Sequence, residues 1–170
     1  MRSVLKLYIL FFVMLSGQFF MKRYFVSFPD ITLLLVITAG VFFSPRTALL
    51  LALATAFARN SLLVSTLKID LLLFPMAALM PLLFGKLLKR NNPFAGMMIS
   101  LFAFLLVASG EILYMNSVFS SGIPVAYTLI RNIPSAFLTV MFYPVIMFVT
   151  GMIARESGRG KTIGYFSVIR

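Results

Sequence analysis

A chain of 170 residues with 61% hydrophobic residues, 11% charged ones and a mean hydropathy of +1.05 carries more apolar surface than one water-soluble core of this size can enclose. Cysteine and histidine are absent, which excludes disulfides, His/Cys metal sites and any catalysis built on Cys, Ser-His or a histidine base. The net charge of +11 lies between apolar segments and in the last residues rather than along one polar face, a pattern of membrane topology and not of nucleic-acid binding.

In chain order, Val4 to Met21 is an apolar run of 18 residues with Lys22-Arg23 behind it. Arg2 ahead of it and Lys6 one turn in resemble a signal peptide, but no small-x-small cleavage pattern follows, so a retained span is expected. Pro29-Asp30 comes next, and Asp30 stands where an N-cap would satisfy the first free N–H groups of a helix. Ile31 to Phe43 and Thr47 to Ala58 would each make about 20 Å of helix, against a hydrocarbon core of about 30 Å. Two short helices in a hairpin would hold Arg46 at the surface, whereas one kinked span would place it near the bilayer middle. The second arm carries Ala48, Ala52 and Ala56 at intervals of four, a line of small residues that lets another helix approach closely. Packing inside the protein and docking of a partner helix are both open to it. For a docking face, Leu at Ala52 and Ala56 should spare insertion and weaken partner association.

Arg59 to Lys68 reads as a polar connection, with Asp70 opening the next span, Leu71 to Leu88, which contains Pro75 and Pro81. Asn91-Asn92-Pro93 turns the chain into Phe94 to Met115, where Glu111 lies within reach of the interface. Asn116 to Pro124 is a polar loop, and Val125 to Ala154 is the last apolar region, marked by Arg131, Pro134 and Pro144. Gly160-Lys161-Thr162 imitates the end of a phosphate-binding loop, but Arg155 occupies the position of its first glycine. The expected fold is all-α: a polytopic bundle of about six transmembrane helices over residues 1–154, five if 31–58 is one span, and a basic cytoplasmic tail over 155–170.

With the N-terminus inside, the inner segments hold Arg2, Lys6, Arg46, Lys86, Lys89, Arg90, Arg155, Arg159, Lys161 and Arg170. The outer segments hold Lys22, Arg23, Arg59, Lys68 and Arg131, so both termini are expected to be cytoplasmic. Five spans with an outer N-terminus would satisfy the same rule. Asp30, Asp70 and Glu111 fall together on the outer side. Nothing near Ser61, Ser65 or Asp70 supplies a base, so neither an enzyme nor a cofactor is expected.

The order Pro29-Asp30, Leu-rich segment, break, small-residue segment and polar connection ending Thr66-Leu67-Lys68-Ile69-Asp70 resembles the rod shape-determining protein MreD family. That family has Pro-Asp before its second span and, after its third, an Asp followed by a Leu-Gly-x-Asn-Ala-like turn. Here Asn60 stands in the place of the Asp, Lys68 of the Gly, Asp70 of the Asn and Leu71 of the Ala. Ile133-Pro134-Ser135-Ala136 is similar to the Pro-Thr-Ala opening the family's last span, and the likeness covers residues 29 to 152. It implies a non-enzymatic, multi-pass component of the bacterial inner membrane within the cell-wall elongation machinery. The partners implied are the MreC scaffold, the MreB filament directly or indirectly, RodA and a class B penicillin-binding protein, besides membrane lipid. Residues flagged for partner contact or structure are Pro29, Asp30, Ala48, Ala52, Ala56, Asn60, Asp70, Glu111, Arg131 and Pro134. The alternative is the substrate-binding membrane subunit of an energy-coupling-factor vitamin transporter, to which the family is similar in fold. In that case the outer set Asp30, Arg59, Asn60, Asp70 and Glu111 would form a ligand pocket.

Overall fold

The computed structural model describes residues 2–24, 27–62, 67–84, 93–119 and 124–155. These form six helices: α1 (Arg2–Tyr24), α2 (Ile31–Phe42), α3 (Pro45–Leu62), α4 (Leu67–Leu83), α5 (Pro93–Phe119) and α6 (Val125–Arg155). There is no strand among the described residues. Stretches Val4–Met21, Phe94–Val118 and Ala126–Arg155 are long and apolar enough to cross a membrane, while Ile31–Phe42 and Ile69–Leu83 are shorter apolar helices. The basic segment with Lys86, Lys89 and Arg90 and the tail from Glu156 onward, including Gly160-Lys161-Thr162, lie outside the described residues.

α2 is the hub. Its sequence is apolar all round, which suits a helix with no solvent-facing side. Residues 32–40 are all buried and the helix touches all five others. It ends where Phe43 turns extended, because Pro45 disfavours helical backbone at Ser44. Pro45 then occupies the first turn of α3, where a missing N–H costs nothing. The Ser44 hydroxyl accepts from the Thr47 N–H at 3.3 Å and the Ser44 carbonyl from the Ala48 N–H at 3.0 Å.

Asp30, just before α2, and Arg59, near the end of α3, meet at 2.9 Å. One continuous helix would hold them about 43 Å apart. Residues 31–58 are therefore two helices folded back on each other, the hairpin alternative.

Three boundaries differ from the sequence expectation. α3 runs through Arg59 to Leu62 and α4 starts at Leu67, so the polar connection is shorter than Arg59 to Lys68. Asp70 consequently sits inside the first turn of α4, where a carboxylate still suits the dipole, rather than capping it. α5 continues to Phe119, so Glu111 is two turns from its end instead of one. Both α4 and α6 remain helical through their two prolines.

Small residues let the helices approach. A Cβ on Gly40 would run into the backbone carbonyl of Ala78, joining α2 to α4. On α5, Gly96 leaves room for the ring of Tyr143 from α6, and Gly110 sits under Leu73 of α4. Ala48, Ala52 and Ala56 are all buried, with α3 packed on α2 and α4. The alanine line is thus turned inward, and the partner-facing alternative has no open surface there.

Outside, the bundle is apolar. α1 exposes Leu5, Ile9, Phe12, Val13 and Phe20; α5 exposes Met98 and Phe102; α6 exposes Met141, Val145 and Met152. Asp30, Arg59, Asp70 and Gln18 lie inside.

Candidate functional site

Gln18, Thr32, Arg59 and Thr139 converge on Asp30. Its backbone angles, φ −81° and ψ 80°, and the Ile31 N–H donating to the Pro29 carbonyl at 3.0 Å make an inverse γ-turn. The turn swings the carboxylate over the start of α2, where Oδ1 accepts from the Leu33 N–H at 3.1 Å as the expected N-cap. The same oxygen accepts from the Thr32 hydroxyl at 2.8 Å and from Gln18 Nε2 of α1 at 3.2 Å. Gln18 Oε1 accepts the Thr32 N–H at 3.0 Å, so one amide satisfies a carboxylate and an orphan helix donor together. From α6, the Thr139 hydroxyl accepts the Asp30 N–H at 2.8 Å while donating to the Ser135 carbonyl at 2.7 Å.

Arg59 of α3 completes the centre. Nη1 donates to Asp30 Oδ2 at 2.9 Å and Nη2 to Glu111 Oε1 at 3.0 Å, and the guanidinium lies 5.0 Å from the centre of the Phe74 ring of α4. A planar fork with a ring beneath it suits arginine better than lysine. The Arg59 and Asp30 side chains are 11% and 8% exposed, Glu111 26%, so the network opens outward mainly through Glu111. Asp70 is buried in the first turn of α4. Bonding of this kind is strong because the groups are ionised and shielded from water, and the hydrogen-bonded members come from five helices.

The network lies at one end of the bundle. Buried positions on α1 end at Gln18, those on α5 end at Ile112, and those on α6 start at Ala136, one turn from Thr139. Asp30 precedes α2, and Arg59 and Asp70 flank the α3–α4 connection.

Of the residues flagged from sequence, the structure brings together Asp30, Glu111 and Asp70, with Pro29 buried beside them. Glu111 faces Arg59 rather than merely reaching for the interface. Asn60 is in α3, its side chain outside what the structure describes. Arg131 and Pro134 are exposed on α6. Gln18, Thr32 and Thr139 went unflagged; the signal for Gln18 was an amide inside an otherwise apolar run. A cleft of about 340 Å³ also runs between α5 and α6, lined by residues such as Leu101, Phe104, Ile133, Ala136 and Phe137. The cleft offers apolar surface with Asn132 as its polar neighbour.

Comparison of the chain with known protein families, curated proteins and solved structures gives no match.

Proposed function

We propose that this chain is a multi-pass protein of the bacterial cytoplasmic membrane, with both termini inside. It acts as a non-enzymatic helical scaffold of the MreD type in rod-shape maintenance and wall elongation. An apolar exterior around an ionic interior supports lipid as the surrounding solvent. Six helices, the α2–α3 hairpin and the basic inner segments support six crossings with the network at the outer end.

One observation carries the choice of scaffold over solute-binding subunit. Asp30, Arg59 and Glu111, which a ligand pocket would need to turn toward a solute, are bonded to one another. Releasing them would leave uncompensated buried charge. Such a bundle acts through faces and short loops, presented to MreC, RodA and the class B penicillin-binding protein in the membrane and to MreB from the cytoplasmic side.

A pulldown of the tagged protein in mild detergent from its native membrane, with mass spectrometry of copurifying proteins, tests this. Recovery of MreC and the wall-synthesis enzymes is expected. Recovery of paired ATPases with a coupling membrane subunit would overturn it in favour of the transporter.

A further inference from the structure

The cleft between α5 and α6 has the shape of a slot. Its α6 wall is Leu129, Asn132, Ile133, Ala136, Phe137 and Val140, spaced i, i+3, i+4, i+7, i+8 and i+11, so it follows one face of the helix for about 16 Å. One leaflet of hydrocarbon is about as deep, about 15 Å. Phe104 of α5 and Ala136 are buried at its floor, while Ile133 and Phe137 are exposed at its rim. A volume of about 340 Å³ falls among sites that hold small molecules, and walls this apolar do not hold water. Spread over its length, that volume leaves a cross-section of about 20 Å², against about 80–110 Å² for a helix with its side chains. The slot admits one extended chain and not a helix.

Near one end the chemistry changes. Asn132 is half-buried in the first turn of the slot, and Arg131 beside it is exposed. Arg131 is the only charged residue between Glu111 and Arg155. Among the described residues, neither side chain has a hydrogen-bond or ion-pair partner. The apolar stretch Ala126–Arg155 has 30 residues, about 45 Å of helix, the thickness of a bilayer with its headgroups. When it spans that thickness, Asn132 lies about 9 Å from one end, at the boundary of headgroups and hydrocarbon, and the slot runs on toward the middle. An amide and a guanidinium at that boundary call for an acceptor, and the slot beneath calls for hydrocarbon. A phosphate carrying an acyl chain meets both demands in one molecule.

We infer that the cleft binds one anionic phospholipid, an acyl chain lying along Phe104, Ala136 and Phe137 and the phosphate held by Asn132 and Arg131. The site rests on the membrane embedding proposed above and is independent of which machinery the protein serves.

The chain has no tryptophan, so a single one placed at the rim reports on the cleft alone. Phe137→Trp in the full chain is reconstituted into phosphatidylcholine vesicles with a rising share of phosphatidylglycerol whose acyl chains carry bromine, which quenches indole emission on contact. Phe12→Trp, on the exposed face of α1, is the control for bulk lipid; both positions are exposed, so packing is spared. Phe137→Trp should reach half-quenching at about a tenfold lower share of brominated lipid than Phe12→Trp, and adding Arg131→Gln with Asn132→Leu should bring it to the control curve. Coincident curves at the two positions, an emission of Phe137→Trp that no share of brominated lipid quenches, or a curve indifferent to the two polar substitutions would each overturn the inference. Quenching of Phe12→Trp reads the embedding separately, so a missing lipid site and a missing membrane are distinguishable, and the pulldown decides the machinery.

Discussion

Arg59 bridges Asp30 and Glu111 in the buried network, and that sets a ranking of substitutions. Arg59→Met removes the guanidinium that bridges two carboxylates and should cost about 3–5 kcal/mol, read as a large drop in melting temperature in detergent. Glu111→Gln keeps the pairing of Arg59 with Asp30 and should cost clearly less. A Glu111→Gln loss as large as that of Arg59→Met would contradict the central position of the guanidinium. Asp30 was legible because an acid behind a proline and ahead of an apolar run has a local reason to be a cap. Its partner was not, since Arg59 is 29 residues away and only closure of the hairpin selects it among the basic residues. Gln18 was hidden for the same reason: its two bonds depend on where α1 lands.

At the scale of elements, close helix approach depends on what each small residue faces. Gly40→Ala meets the backbone carbonyl of Ala78, which cannot rotate away, so a loss of about 1–3 kcal/mol is expected, and no side-chain change on α4 should recover it. Gly96→Ala meets a side chain, the Tyr143 ring, and Tyr143→Leu should recover part of its loss. Melting temperatures of the two singles and the double decide between these cases. Ala52→Leu and Ala56→Leu, at positions with no exposure, should lower folded yield, not selectively weaken a partner contact. Helix identity and the break at Ser44-Pro45 were readable from apolar runs and proline chemistry. The ends of α3 and α4 were not, because Arg59-Asn60-Ser61 reads as a loop by polarity, yet a polar residue extends a helix when its side chain finds ionised partners inside.

For the whole molecule, composition already required lipid-like surroundings, and the structure adds the arrangement: α2 at the centre, an apolar exterior, and one ionic closure tying five helices at a single end. What composition could not supply was which face remains for partners. The alanine line suits docking by spacing alone, but the hairpin turns it inward. The proposed MreD-type role and the proposed outer position of the network both depend on the crossing pattern. Absence of native cysteine makes that pattern directly measurable with single cysteines and a membrane-impermeant maleimide, applied to intact cells and to inverted vesicles. Ser44→Cys, between α2 and α3, and Arg155→Cys should react only from the cytoplasmic face, and Ser117→Cys, near the end of α5, only from outside. Reaction of Ser44→Cys and Ser117→Cys from the same face would contradict the account.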